Sequence, residues 1–153
     1  MSVLDASSWH NLSGETVTDV REEVKKTLNT NRYTLHIGSD TNPRSDGTTL
    51  ITTICFREKG KGALVLYQKR KLNPFVSVLD RLIHEAVTSL ELAEEIRKLT
   101  GVRCTIHADV NPSAENLSNR VADAIMGMIK GMGYPVLIKP NAWAADIADM
   151  YTR

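Results

Sequence analysis

Two short apolar segments, far apart in the chain, end in the same way. "YTLHIGSD" covers residues 33–40 and "RCTIHADV" covers residues 103–110, and each carries a His and then an Asp after β-type apolar residues. A carboxylate on a core strand costs several kcal/mol unless it is paired or holds a metal. The two segments therefore predict two buried strands, and their acids must find partners or share a site.

The order of the remaining elements predicts a mixed sheet. A strand at 33–40 is followed by a predicted loop, "TNPRSDG", and then by a hairpin. The later elements are listed in chain order: a long helix from about Val76 to Leu99, a strand at 102–110, a helix from Ser113, the strand "YPVLIKP" and the last helix "AWAADIADMYTR". A three-strand meander followed by alternating helices and strands indicates an α/β fold with five strands, strand two antiparallel, and helices on both faces.

The first 31 residues are predicted to form an irregular arm and an N-terminal helix. Val20, Val24 and Leu28 form a helical apolar stripe, and Thr16 with Asp19 resembles a capping box. A length of 153 residues fits one compact domain. The expected organisation is a single domain over 1–153, with the arm and helix at 1–31 and the core at 32–153.

Charge and cysteine content narrow the classes of protein. The chain has 19 Lys and Arg against 18 Asp and Glu, a net charge of +1, so no global positive field attracts nucleic acid, although local basic clusters can still do so. Cys55 and Cys104 lie in strand-like runs and are expected to be core residues of a reducing compartment. Neither a signal peptide nor an apolar run of about 20 residues is seen. We expect a cytoplasmic protein with no membrane partner.

The two strand acids are expected to meet at one edge of the sheet. Right-handed crossovers favour placing the fourth predicted strand beside the first and parallel to it. Asp40 and Asp109 then lie at the carboxyl ends of adjacent parallel strands, where open α/β sheets place their sites. On the long helix, Glu85 flanks the apolar stripe and can reach that edge. Glu91 and Glu95 point away from it and are predicted to be solvated.

The last helix adds two further acids, Asp146 and Asp149, which share one face because they are three residues apart. Four or five carboxylates then converge. Such a cluster cannot stay empty and fully ionised at neutral pH, so either some pKa values rise or a divalent cation binds. Hard oxygen ligands suit Mg²⁺ or Mn²⁺.

Three basic or neutral side chains accompany the acids. By strand alternation, His36 shares a side with Asp40, and His107 shares one with Asp109. Both histidines are candidates either to orient waters and tune the acids or to be hydrogen-bonded core residues. Lys139 ends the last strand, where it is either a phosphate contact or a solvated side chain.

Six segments carry a resemblance to a known family: "LSGE", "HIGSD", "RLIHEAVTSLELAEE", "IHADV", "GMIKGMGYPVLIKP" and "AWAADIADMYTR". In this order they resemble the YkuK-like family of ribonuclease H-like proteins. The resemblance implies a ribonuclease H-like fold and a nuclease that hydrolyses phosphodiester bonds of RNA, DNA or a hybrid with two divalent metals. One departure is the loop after the first acid, "DTNPRSDG", where the family usually has a Ser and a Gln.

The resemblance also implies roles for individual residues. Asp40, Glu85, Asp109 and Asp149 match the positions of the catalytic, metal-holding acids, and Asp146 is a second candidate in the last-helix position. Two other functions stay open. One is a non-catalytic ribonuclease H-like module that binds nucleic acid or a protein. The other is a nucleotide-binding enzyme, which the absence of GxxxxGK[ST] and GxGxxG disfavours. An oligomer is compatible with the sequence.

Overall fold

The computed structural model describes residues 2–111 and 116–152, and it shows an α/β fold. The strands of these residues are β1 (Trp9–Asn11), β2 (Thr16–Val17), β3 (Thr34–Arg44), β4 (Gly47–Glu58), β5 (Gly62–Leu72), β6 (Thr105–His107) and β7 (Val136–Leu137). The helices are α1 (Val20–Leu28), α2 (Val78–Thr100), α3 (Asn116–Gly131) and α4 (Trp143–Thr152). The predicted start of the third helix, at 112–115, lies outside the described residues.

The centre of the sheet is a meander with a parallel strand beside it. β3, β4 and β5 pair antiparallel in chain order. β6 pairs parallel with β3 and places His107 opposite Gly38, and β7 pairs parallel with β6. The antiparallel second strand and the parallel contact between the first and fourth predicted strands are therefore confirmed.

The number of strands was predicted wrongly. Among the described residues the sheet has seven strands, in the order β2-β1-β5-β4-β3-β6-β7. The two extra strands come from the first 31 residues, which were predicted to be an irregular arm and a helix. β1 lies in the predicted arm and pairs with β5, and β2 lies where the helix was expected to begin and pairs with β1. This pairing covers the free edge of β5, which would otherwise expose unpaired backbone groups. The Gln68 side chain on β5 also donates hydrogen bonds to the carbonyls of Val3 and Ser7.

The N-terminal segment also differs in its helix and its contacts. Two strands come first, and α1 follows them. The expected capping box at Thr16 was wrong, because Thr16 lies in β2 and the Asp19 side chain caps α1 by accepting from the Glu22 amide. Glu95 is not solvated as predicted. Its carboxylate accepts hydrogen bonds from two N-terminal backbone amides, each at 3.1 Å, and so ties the N-terminal segment to α2.

β3 is longer than predicted. The segment expected to be a loop continues β3 to Arg44, and the chain turns back at residues 45–46 into β4. Gly47 has a φ of 136°, a conformation that glycine adopts without strain. Asp40 consequently lies inside β3 and not at its end, because the β3–β4 hairpin extends beyond the point where β6 stops.

Apolar side chains cover both faces of the sheet. On one face, Ile37, Ile54 and Ile106 belong to the large core cluster that also includes the buried side of α2. On the other face, Cys55 and Val65 pack with Ala144 of α4. The central strands are thus buried between helices, as predicted. In the part of the chain that the structure describes, no helix is both long and apolar enough to cross a membrane.

Candidate functional site

Four carboxylates from four different segments lie near one another around Asp40. Asp40 lies on β3, Glu85 on α2, Asp109 just after β6 and Asp149 on α4. The Asp40 side chain is almost fully buried, with 3% of the residue exposed. This burial first, then the charges of Glu85 and Asp109 and a hydrogen bond with Asp149, raise the pKa of Asp40 to about 8. We call these four residues the acid cluster.

The register of two strands explains why two members of the acid cluster, Asp40 and Asp109, lie close together. Gly38 of β3 lies opposite His107 of the parallel strand β6. Asp40 and Asp109 each follow two residues later, so both point into the same region at the edge where β6 ends. This is the arrangement expected for the carboxyl ends of adjacent parallel strands.

Glu85 is the helical member of the acid cluster and is 5% exposed. Its carboxylate accepts hydrogen bonds from the Thr41 amide at 2.9 Å and from the Thr41 hydroxyl, and Arg81 lies 3.4 Å away. Burial raises the pKa of Glu85 to about 7, although the Thr41 hydrogen bonds and the Arg81 charge act against the rise. Glu91 is exposed, so the structure places these two helical acids as their helical phase indicated.

Asp109 and Asp146 have different surroundings. The Lys139 ammonium lies 2.9 Å from the Asp109 carboxylate, and this hydrogen bond raises the pKa of Lys139. Asp146 is exposed, and its charge acts on Lys139 and is not among the causes of the Asp40 shift. Asp149, one turn further along α4, is the acid that reaches Asp40. The geometry thus brings together four of the five predicted acids and leaves Asp146 at the periphery.

Close packing of α4 on β3 brings Asp149 to the acid cluster. A Cβ atom added to Gly38 would lie 2.5 Å from the Ala144 carbonyl carbon and the Ala145 nitrogen, so the helix backbone rests directly on this glycine. The Thr53 hydroxyl lies within hydrogen-bond distance of the carbonyls of Gly38 and Ala144, at 3.2 and 3.0 Å. No larger residue than glycine fits at position 38 with the helix in this place.

The two histidines form a hydrogen-bond chain behind the acid cluster. The Ala144 amide donates to Nδ1 of His107 at 3.1 Å, so the His107 proton is on Nε2, which donates to Nδ1 of His36 at 2.9 Å. His36 can then donate from Nε2 to the Thr34 hydroxyl at 2.8 Å. Burial lowers the pKa of His107 to about 3 and also lowers that of His36. Both rings contact Trp143, at centroid distances of 4.6 and 4.7 Å.

This series of hydrogen bonds gives the histidines a structural role. Each neutral ring uses one nitrogen as donor and the other as acceptor, so the four ring nitrogens are all engaged. The hydrogen bonds link β3 and β6 to the first turn of α4 and thereby fix the helix that carries Asp149. Of the two interpretations of the sequence, the hydrogen-bonded core histidine is the one that this geometry supports.

The chemistry of the acid cluster suits a hard divalent cation, because carboxylate oxygens are the ligands that Mg²⁺ and Mn²⁺ prefer. In the structure, Asp40 is hydrogen-bonded to Asp149, Glu85 faces Arg81, and Asp109 faces Lys139. Within residues 2–111 and 116–152, no three His, Cys, Asp or Glu side chains are already arranged as a metal-binding group. Two of the four acids are therefore paired with cations, and the other two are hydrogen-bonded to each other.

Two residues of the site were not predicted from the sequence. Arg81 is four residues before Glu85, a spacing that places two side chains together on a helix and that signals an ion pair. Thr41 directly follows Asp40, and it was assigned to the predicted loop. Its position in β3 points its hydroxyl to the face covered by α2, where Glu85 lies.

The fold and the site define a class of protein: an α/β protein with a mixed sheet and buried carboxylates gathered beside its parallel strands. More specifically, the chain belongs to the ribonuclease H-like family, whose model matches residues 15–153. No curated protein and no solved structure gives a significant match. Membership of this family points to a role that involves nucleic acid.

Proposed function

We propose that this protein is a divalent-metal-dependent nuclease that hydrolyses phosphodiester bonds of RNA or DNA, and that it belongs to the YkuK-like group of its family. The observation that carries the proposal is that Asp40 and Glu85, both almost fully buried, lie with Asp109 and Asp149 in one group of four carboxylates. Buried carboxylates in such number are costly in a purely structural role, and they are expected where a cation is to be held.

The proposed roles follow from the contacts of each residue. Asp40, Glu85, Asp109 and Asp149 would hold Mg²⁺ or Mn²⁺. A divalent metal bound there would activate a water and stabilise the leaving oxygen of an in-line displacement. A pair of metals would supply both effects together. Asp40 would release its proton to become a ligand. Lys139, on the rim beside Asp109, would then be free to contact a phosphate oxygen.

The test uses Asp40→Asn, with Asp123→Asn as the matched control because Asp123 is an exposed acid of α3 outside the acid cluster. At pH 7 the metal-free Asp40 is mostly protonated, so the neutral Asn should keep or raise the metal-free melting temperature. Asn cannot replace the carboxylate as an anionic ligand. Mn²⁺ should therefore stabilise the wild type and Asp123→Asn, and should stabilise Asp40→Asn much less.

Cleavage of labelled RNA and DNA in Mg²⁺ or Mn²⁺ is measured beside the thermal unfolding. We expect activity in the wild type and in Asp123→Asn, and loss of activity in Asp40→Asn. If Mn²⁺ does not raise the melting temperature of the wild type, the proposal of a metal-dependent nuclease is wrong. A metal-free Asp40→Asn that is clearly less stable would instead indicate a structural acid.

A second function, a non-catalytic module that binds nucleic acid or a protein, is favoured by one observation. Arg81 and Lys139 already balance two members of the acid cluster, so the site is satisfied as it stands. In that case the wild type should bind nucleic acid equally well with EDTA and with Mn²⁺, and should not cleave it.

A further inference from the structure

An apolar groove opens directly beside the acid cluster. It runs between the beginning of α2 and the segment after β6, and encloses about 270 Å³. Val78, Leu79 and Leu82 line it from α2, and Val110 lines it from the other side. Asp109 lies in its wall, so the groove and the acid cluster form one continuous surface.

The apolar wall of the groove is open to solvent. Val78 is 64% exposed and Leu79 is 47% exposed, although both lie within one turn of Arg81, which pairs with Glu85. Aliphatic side chains gain free energy when an apolar surface covers them, at about 25 cal/mol per Å². A partner that covers this wall must also be able to reach Asp109 and its neighbours.

The charges at the groove favour an anionic partner. Arg81 and Lys139 both line it, and they pair with Glu85 and Asp109 of the acid cluster. A metal among the acids would release these two cations for phosphate groups. A partner with phosphates at its ends and an apolar surface between them matches the groove.

Nucleic acid offers that combination only where a base is unpaired. In a duplex the faces of the bases are stacked on each other, and an aliphatic wall would meet only sugar and phosphate. A base of a single strand can place its face on apolar side chains of the protein, and on an aliphatic wall the gain comes from apolar burial, at about 25 cal/mol per Å². Within the described residues, the groove itself supplies two cations, Arg81 and Lys139, for the phosphates that flank such a base.

We propose that the groove holds one unpaired nucleobase next to the scissile phosphate, so that the substrate is single-stranded nucleic acid. The volume of about 270 Å³ lies just below the range of clefts for drug-sized ligands, which begins at about 300 Å³, so the groove suits a group no larger than a single nucleoside. Leu79 and Val78 contact the base face, and Arg81 and Lys139 contact the flanking phosphates. This inference rests on the proposed function, because it takes the acid cluster as the place of cleavage.

The test measures binding of the full chain to a short labelled oligouridine, to an oligothymidine and to blunt duplexes of equal length, by fluorescence anisotropy with EDTA and with Mn²⁺. Leu79→Glu and Val78→Glu each place a carboxylate in the groove. Val76→Glu is the matched control, because Val76 is 92% exposed and lies outside the groove wall. All three positions are exposed, and circular dichroism verifies that each variant is folded.

We expect single strands to bind about tenfold more tightly than duplexes, which corresponds to about 1.4 kcal/mol. Leu79→Glu and Val78→Glu should weaken single-strand binding by about tenfold, and Val76→Glu should change it by less than about twofold. Equal or tighter binding of duplexes overturns the inference, and so does an equal effect of Leu79→Glu and Val76→Glu. If Mn²⁺ stabilises the wild type and the duplex is the preferred substrate, only this inference fails. If Mn²⁺ has no effect, the proposed function itself fails.

Discussion

Replacing Gly38 by alanine should displace the helix that carries Asp149. The added Cβ atom would lie 2.5 Å from backbone atoms of Ala144 and Ala145, whereas ordinary contacts begin at 3.4 Å. The strand or the helix must therefore move by about 0.9 Å, because neither backbone atom can turn aside as a flexible side chain can. Position 38 lies on the same side of β3 as Asp40, so the movement occurs next to the acid cluster.

The size of the effect follows from the kind of contact. Overpacking a close-packed interior costs about 1–3 kcal/mol, and contact with backbone places Gly38→Ala at about 2–3 kcal/mol. For a chain of this length, each kcal/mol lowers the melting temperature by about 2–4 °C. We therefore expect a decrease of about 4–12 °C, together with a weaker response to Mn²⁺, since Asp149 would be withdrawn from the other acids.

The assay is thermal and urea unfolding with and without Mn²⁺, with Gly127→Ala as the control. An added Cβ at Gly127 meets nothing within 4 Å, and this residue lies inside α3. Gly127→Ala should stabilise the protein by about 0.5–1 kcal/mol, because alanine favours a helix more than glycine does. If Gly38→Ala is as stable as the wild type, or if Gly127→Ala loses as much stability, the argument from the close approach of α4 is refuted.

Other perturbations test the remaining contacts of the site. Arg81→Ala removes a cation beside Glu85, so calorimetry should show tighter Mn²⁺ binding while nucleic-acid binding weakens; unchanged Mn²⁺ affinity would contradict this. His107→Phe leaves the buried Ala144 amide without its acceptor, and urea unfolding should show a loss of about 1–3 kcal/mol. Because the folded pKa of Asp40 is about 8 and the unfolded one is near 4, the folded protein retains a proton that the unfolded chain has released. Its metal-free stability against urea should therefore fall as the pH rises from about 6.5 to about 8, whereas below 6.5 the lowered pKa values of His36 and His107 contribute the opposite slope. A flat or rising profile between about 6.5 and 8 would be inconsistent with the acid cluster.

Much of the acid cluster could be predicted because strand direction and helical phase are properties of the sequence. The meander and the crossover rule place the fourth predicted strand beside the first, and β6 indeed pairs parallel with β3. The rotation of about 100° per residue separates Glu85 from Glu91, and the structure buries the first and exposes the second. The choice between Asp146 and Asp149 was beyond this reasoning, since both share one face of α4.

The N-terminal strands could not be predicted, because β1 and β2 are too short to show alternation. Their formation depends on a distant edge: β5 offers unpaired backbone groups, and Gln68 offers a side-chain donor. The sequence of β1 and β2 does not by itself indicate these partners. The same applies to Glu95, whose helical phase suggested solvent, and whose actual partners are amides near the chain start.

The position of the acid cluster depends on residues whose supporting role the sequence does not specify. Gly38 permits the contact with α4, and His107 accepts from the first turn of that helix, yet neither requirement exists until the helix is docked. Asp40 of β3 is hydrogen-bonded to Asp149 of α4 across the same interface. A change in the contact between β3 and α4 should therefore also change this carboxylate pair. A substitution in this supporting layer should thus alter metal binding without removing any acid. The geometry of the site is a property of the β3–α4 interface as much as of the four carboxylates.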